Sequence, residues 1–420
     1  MAAISFVTLL MIGLPIALVL AATSLIYIFA SGQTVLLQSF SQQLFSGLES
    51  YGLIAIPLFM LAGEFMNEGG VTNRLVDFGS VFIRRVRGGL AYINLVANVM
   101  MAAIIGSAAA QVAIMSRTMV PEMEKQGYDK TFSAATTAAG GLLSPIIPPS
   151  MLFVIYGVLA QVAIGDMFLA GIIPGIMMAV GFFVAVAVIG FIIELPYPFP
   201  LTRKEKLKFL AMGLPTLTIP VVIVGGILAG IATPTESAAV ASLAAFILGR
   251  FFYKELELSK LPEILYRVGI NTSIVVFIVA TAKVFGWIII YEQLPQTLAE
   301  YLSLLTESPF VFLIVVNIVL LFVGMIIDGI AALILIVPIL LPVAQNQFGI
   351  DPFHFGVVIC INLVLGLFTP PVGVGLYITT TMTGVRPSAL FIQIAPFLFT
   401  TLVVLVLLCW QPWLVTALIQ

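Results

Sequence analysis

The sequence predicts an all-α polytopic membrane protein made of two inverted-topology repeats, each with a re-entrant helical hairpin followed by a broken transmembrane helix. Three observations carry that prediction. The chain is 61% hydrophobic and 9% charged, with a mean hydropathy of +1.20, whereas a soluble domain carries roughly 25% charged residues. Apolar runs recur at the ~20-residue length that crosses a ~30 Å hydrocarbon core. Residues 104–174 also match residues 326–396 at one constant offset, without a gap.

In that match Ile104-Ile105 falls on Ile326-Ile327, Ala109-Ala110 on Ala331-Ala332, and Gly127 on Gly349. Asp129 falls on Asp351, Leu143 on Leu365, Pro148-Pro149 on Pro370-Pro371, and Pro174 on Pro396. The identity is sparse but concentrated in Gly, Pro and Asp, which dictate backbone shape. In so apolar a chain, a duplicated unit with matching helix breaks marks a secondary transporter built from internal repeats.

Taken in order, membrane spans are expected at 4–30, 48–67, 131–163 (broken), 167–194, 209–231, 235–252, 268–291, 352–384 (broken) and 387–417. Residues 4–30 lack a basic leader and are too long for a cleaved signal, so they read as a first membrane helix. Two stretches, 90–124 and 308–346, are too long for one span and carry central Gly or polar residues, which predicts hairpins that turn back on themselves. Amphipathic segments at about 70–89 and 294–306 precede the hairpins and are expected to lie along the interface.

Charge orients this layout. With a cytoplasmic N-terminus, Arg74, Arg84, Arg85, Arg87, Lys125, Lys130, the 203–208 cluster, Arg250, Lys254, Lys260, Arg267 and Arg386 all fall inside. Asp166, Glu236, Glu292, Glu300, Glu307 and Asp351 occupy the outer loops, which contain no Lys or Arg, as the positive-inside bias requires. The first amphipathic segment is basic and its counterpart acidic, so the two repeats are inserted in opposite senses. One hairpin then enters from each side, a geometry suited to alternating access.

Four segments are expected to converge near the midplane. They are the hairpin tips, Gly106-Ser107-Ala108-Ala109-Ala110 and Asp328-Gly329-Ile330-Ala331-Ala332, and the breaks, 140–150 and 366–373. Consecutive prolines supply no N–H and stop the helix, so carbonyls before them lose their usual partners. Such oxygens survive at membrane depth only when buried or facing a cavity, and half-helix ends commonly hold Na⁺ there. Two pseudo-symmetric Na⁺ sites are therefore expected. One joins Gly106 and Ser107 to carbonyls of Gly141, Ser144 and Ile147. The other joins Asp328 and Gly329 to carbonyls of Gly366, Thr369 and Val372, with the Thr369 hydroxyl available. Ser107, Pro148, Ser150, Pro370 and Gly373 are the candidates for substrate contact. The competing reading is that these prolines only kink packed helices.

Asp328 is the most telling side chain, since an ionised carboxylate near the membrane centre costs about 2.5–3.5 kcal/mol on insertion scales. Its repeat counterpart is Gly106, so cation chemistry at the two tips is asymmetric. Glu64 and Lys283 are weaker candidates; Lys283 meets an anionic substrate, pairs with a carboxylate or snorkels to the interface. Arg117 reads as solvated on the cytoplasmic side. Cys360 and Cys409 match no disulfide or metal spacing, and the single histidine, His354, supports no catalytic cluster. No nucleophile elbow or phosphate loop is present, so no enzyme activity is expected.

The motifs Ile56-Pro57-Leu58-Phe59-Met60-Leu61-Ala62-Gly63, Gly106-Ser107-Ala108-Ala109-Ala110, Ser144-Pro145-Ile146-Ile147-Pro148-Pro149-Ser150, Ala232-Thr233-Pro234-Thr235-Glu236-Ser237-Ala238-Ala239 and Thr369-Pro370-Pro371-Val372-Gly373 carry a further resemblance. Over essentially its whole length the chain resembles the large membrane subunit of a tripartite ATP-independent periplasmic (TRAP) transporter, the DctM-like family. The resemblance implies an elevator-type transporter of the bacterial inner membrane, driven by the Na⁺ gradient and importing an organic anion. It implies two partners, a small four-helix membrane subunit and a periplasmic substrate-binding protein, and no nucleic acid. Family substrates are C4-dicarboxylates and sialic acids, with a lean towards sialic acid here.

The expected organisation is residues 1–89 as scaffold and amphipathic arm of repeat 1, and 90–166 as the first part of the transport domain. Residues 167–307 form connecting and scaffold helices with the arm of repeat 2, 308–386 the second part of the transport domain, and 387–420 a C-terminal helix that ends in the periplasm. A standalone Na⁺/dicarboxylate or citrate symporter, a membrane scaffold protein and an intramembrane hydrolase are the competing functions.

Overall fold

The computed structural model describes residues 2–83, 87–197, 202–304 and 306–419, and all regular structure within them is helical. Arg84 and Arg85 of the charge argument lie outside the described residues. Five full crossings are long single helices: Ile164–Ile192, Arg203–Leu228, Pro234–Phe252, Leu258–Tyr291 and Pro387–Trp410. Another is a bent pair, Leu36–Ser46 with Tyr51–Glu68, at 49°.

The duplication is visible in the helices themselves. Gly89–Ile105 and Ala108–Lys125 form the first hairpin, and Lys130–Gly141 and Met151–Ala160 the first broken helix. Pro309–Ile326 and Gly329–Asn346 form the second hairpin, and Pro352–Gly366 and Val374–Thr383 the second broken helix. A shift of 222 positions carries Lys130 onto Pro352, and brings Val71, Ala108, Met151 and Ile164 each within one residue of the start of a matching helix. The conserved identities have local causes. Gly127 and Gly349 take the left-handed conformation, at φ 87° and 62°, which favours glycine. Asp129 and Asp351 cap the helices that follow, accepting from the N–H groups of Phe132 (2.8 Å) and of Phe353 and His354 (2.9 and 3.0 Å). Both caps satisfy donors that a helix start leaves unpaired.

Contacts sort the helix ends into two sets. At one end Lys260 pairs with Glu68, Arg74 with Glu255 and Arg87 with Glu194, and Tyr128 and Tyr253 donate to the carbonyls of Pro196 and Met212. At the other end Tyr27 meets Glu292, Tyr291 meets Gln33, and Tyr156 donates to Pro352. These are the basic and acidic ends that the charge pattern separates. The first hairpin opens towards the basic end and the second towards the acidic end, so the repeats are inverted.

The expected span at 4–30 is not one helix. The chain forms Ala2–Met11 and Ile16–Ala30, interrupted at Gly13 (φ 84°) and Pro15. Phe6 stacks on Phe285 while Ile28 packs with Val284 and Ile288. Both helices thus lie beside the same stretch of the long helix, and the chain doubles back rather than crossing. Hydropathy could not show this, because two short apolar helices and one long one have the same composition. Leu36–Ser46, absent from the expected spans, completes the next crossing. Elsewhere the helices begin earlier than expected: Arg203 rather than 209, because Thr202 and Glu205 form a capping box, and Leu261 rather than 268. The last helix stops at Trp410, and Trp413–Thr416 is a separate turn.

Candidate functional site

Both hairpin tips reach one cavity of about 400 Å³. Gly106, Ser107, Ala108, Ala109 and Ala110 come from the first tip, Asp328, Gly329 and Ile330 from the second. Pro145 and Leu367 bring in the two breaks, and Glu64, Asn67, Asn271 and Val275 line the facing wall. Hairpins entering from opposite ends and meeting tip to tip cannot each cross the membrane, although both limbs of the second are long enough.

Each tip is tied to a break by its backbone. Gly106 ends its helix in the left-handed conformation (φ 62°) and its carbonyl accepts from Met151 N–H at 3.4 Å. A Cβ there would sit 3.1 Å from both Met151 N and the Pro149 carbonyl, so the approach requires glycine. In the second repeat Gly373, the counterpart of Met151, donates its N–H to the Met325 carbonyl at 3.1 Å. Pro148-Pro149 and Pro370-Pro371 are both cis.

The break carbonyls divide into used and unused. Gly141 and Gly366 carbonyls accept from the N–H groups of Ser144 (3.3 Å) and Thr369 (3.0 Å). The carbonyls of Ser144, Ile147, Thr369 and Val372 accept no hydrogen bond among the described residues. Ser144 is fully buried and its hydroxyl has no partner, an arrangement that costs about 1–3 kcal/mol unless something occupies the oxygen. The Thr369 hydroxyl donates to Leu365 O at 2.8 Å, which leaves its lone pairs open to a cation. An all-oxygen, carbonyl-rich donor set suits a hard monovalent ion; among the described residues no cluster of His, Cys, Asp or Glu suits a multivalent metal.

Asp328 is exposed to the cavity and N-caps Gly329–Asn346 by accepting from Ile330 N–H at 3.0 Å. Ser107 starts its helix without a side-chain cap, so its hydroxyl is uncommitted at the cavity wall. Ser150 differs from expectation. It is buried, donates to the Pro145 carbonyl and accepts from Phe153 N–H at 3.2 Å, so its hydroxyl is spent on holding the break. Pro148, Pro370 and Gly373 do not line the cavity either, nor do Gly141, Ser144, Ile147, Gly366, Thr369 and Val372, so the breaks reach it only through Pro145 and Leu367. Pro370 and Val372 are exposed, whereas residues 141–146 of the first break are buried. One cause is Gly171, where any Cβ would lie 2.7 Å from the Ile146 carbonyl, so that helix lies directly over the break.

A buried amide network behind the site was not anticipated. Gln111 Nε2 donates to the Gly140 carbonyl (3.1 Å) and to Asn98 O and Oδ1 (both 2.9 Å); Asn98 in turn donates to Asn94. In the second repeat Asn362 donates to Asn317 O and Oδ1 at 2.9 and 2.7 Å. Asn362 is the counterpart of Gly140, where Asn98 fills the space instead: a Cβ on Gly140 would lie 2.2 Å from the Asn98 amide carbon. Each break is thus fastened to its own hairpin by an amide, supplied from opposite partners. The signal was present as Asn and Gln inside apolar runs, which in membranes face protein rather than lipid.

The weaker candidates also resolve. Arg267 pairs with Glu64 and Glu68, each at 3.0 Å, so Glu64 is a paired carboxylate on the cavity wall. Arg117 is exposed against Met382. His354 bonds the Leu408 carbonyl at 2.8 Å, and Cys360 and Cys409 are buried and free.

Comparison with known proteins agrees with the fold. Residues 3–414 match the model of the family described as "Tripartite ATP-independent periplasmic transporter, DctM component". The chain is 36% identical over 375 residues to the C4-dicarboxylate TRAP transporter large permease protein DctM of Pseudomonas aeruginosa, covering 89% of this chain and 88% of that one. It is 36% identical over 408 residues to the sialic acid TRAP transporter large permease protein SiaM of Vibrio cholerae, covering 96% and 94%. In fold it is similar to the crystal structure of the Alcanivorax borkumensis YdaH transporter, with a TM-score of 0.65 at 14% identity, over 91% of this chain and 89% of that one.

Proposed function

We propose that this chain, which belongs to the DctM component family of tripartite ATP-independent periplasmic transporters, imports an organic anion by coupling its movement to Na⁺. As a large permease of that family it is a multi-pass membrane protein, and transport rather than catalysis is its activity. The observation that carries the Na⁺ reading is the meeting of two opposed hairpin tips, each tied through its backbone to a break in which two carbonyls have no N–H partner among the described residues. Ser107, Ser144 and Ile147 with Gly106 and Gly141 form one ion site in this reading. Asp328, Thr369 and Val372 with Gly329 and Gly366 form the other. The relatives named for C4-dicarboxylates and sialic acid suggest a carboxylate substrate, held between the tips.

In this reading the hairpins and broken helices slide as one body against a scaffold formed by the bent pair and the helices Arg203–Leu228, Pro234–Phe252 and Leu258–Tyr291. A small membrane subunit binds that scaffold, and a periplasmic binding protein delivers the substrate. The basic end faces the cytoplasm of a bacterial inner membrane, which places the C-terminus in the periplasm. Because residues 2–30 double back beside the acidic end, the N-terminus falls on the periplasmic side too, opposite to the side assigned from charge alone.

Two experiments test these points. In proteoliposomes holding the complete complex, Ser144→Ala and Thr369→Ala each raise the Na⁺ concentration for half-maximal uptake by roughly three- to tenfold, as losing one oxygen contact worth about 1 kcal/mol requires. An unchanged Na⁺ dependence in both removes the two sites. In intact cells, a cysteine at Glu300 is labelled by an impermeant maleimide and one at Lys206 only after the membrane is opened. The reverse pattern overturns the orientation.

A further inference from the structure

A second cavity, of about 1140 Å³, opens towards the acidic end between the scaffold and the second hairpin. Lys283 lies on its wall, half-buried. Eight residues from the end of its helix at Tyr291, it lies about 12 Å along the axis from that end, so the cavity and not the interface solvates it. Among the described residues Lys283 forms no ion pair, whereas Glu64 on the same scaffold is paired with Arg267 at the tip cavity. The cavity's carboxylates, Glu49, Asp166 and Glu236, come from other segments; Glu236 is committed to capping its helix with Thr233.

The register of two helices gives this cation a role. Gly329–Asn346 and the scaffold helix Leu261–Tyr291 run in the same direction. At the tip cavity Asp328 and Ile330 share walls with Asn271, Ile274 and Val275. Further out, Pro338 lies against Gly286, where a Cβ would be 3.0 Å from the proline Cβ. Ten positions separate Asp328 from Pro338, about 15 Å of helix. A slide of that length towards the acidic end carries the tip from the level of Asn271 and Val275 to the level of Lys283 and Gly286.

We infer that Lys283 is a specificity-determining residue that receives the carboxylate of the transported anion at the outward end of this slide. The inference rests on the sliding, organic-anion reading above. Na⁺ on Asp328 neutralises the tip and leaves the ammonium to the substrate. At the inward end the same anion meets a wall that carries Glu64, already paired with Arg267, and no Lys or Arg among the described lining residues, so no unpaired cation retains it. The scaffold therefore offers an unpaired cation where cargo is loaded and none, among the described lining residues, where it is released.

The test uses the complete complex in proteoliposomes, with Na⁺-driven uptake of succinate and of N-acetylneuraminic acid as the two probes. For whichever acid the wild type accumulates, Lys283→Gln raises KM roughly tenfold to a hundredfold, the range for a lost charge-assisted hydrogen bond, with kcat little changed, and Lys283→Arg restores most of the affinity. A parallel pair of double-cysteine variants, at 283 with 330 and at 271 with 330, both cross-link with Hg²⁺. An unchanged KM in Lys283→Gln overturns the inference. Cross-linking of the 271–330 pair without the 283–330 pair overturns the slide beneath it. If the wild type accumulates neither acid while both pairs cross-link, the organic-anion reading falls and the approach of the tip to Lys283 stands.

Discussion

Asp328→Ala abolishes Na⁺-dependent uptake, by a hundredfold or more, while the protein still reaches the membrane. The reasoning separates two roles of one carboxylate. As an N-cap, Asp328 accepts a single bond from Ile330 N–H, and replacing a cap with alanine costs about 1 kcal/mol. That is too little to unfold the hairpin. As the only acidic side chain at either tip, it is also the single fixed negative charge available to a cation between them. Asp328→Asn distinguishes the roles, since asparagine caps as well as aspartate but carries no charge. Loss of uptake in both variants, with normal thermal stability for Asn, assigns the charge to transport. Full uptake by Asp328→Asn would reduce Asp328 to a helix cap.

Gly366→Ala is expected to have the other large effect, on packing. A Cβ at Gly366 would lie 2.6 Å from the carbonyl carbon of Gly324 and 2.7 Å from its Cα. Both are backbone atoms of the second hairpin, so no side chain can swing aside. The broken helix and the hairpin must separate, at a cost of about 1–3 kcal/mol. The same separation moves the Thr369 and Val372 carbonyls away from the tip. The thermal midpoint of the purified complex falls and uptake is lost. A variant with wild-type stability and transport would mean that the two backbones are not in contact.

The positions of Gly127 and Gly349, Asp129 and Asp351, and the double prolines were enough to locate the hairpins and breaks, because each has a local backbone requirement. Their conformations and caps bear this out. The contribution of Ser150 was not legible in the same way. A serine after two prolines looks the same in sequence whether its hydroxyl faces a cavity or folds back on the Pro145 carbonyl. The doubling back of residues 2–30 was hidden for a related reason: Gly13 and Pro15 mark a break, but not the direction the chain takes after it.

By itself the sequence determined that this chain lives in a membrane, that it is duplicated in opposite senses, and where its helices cannot continue. Those properties follow from composition, from the distribution of charge and from residues whose backbone preferences act within a few positions. Only the tertiary structure decided which break oxygens remain without donors, which amides fasten each break to its hairpin, and that both tips open into one cavity facing Glu64 while Lys283 waits further out. These depend on partners from different helices, 29 positions apart for Gln111 and Gly140, 45 for Asn317 and Asn362 and 222 for Gly106 and Asp328, and no local preference specifies them.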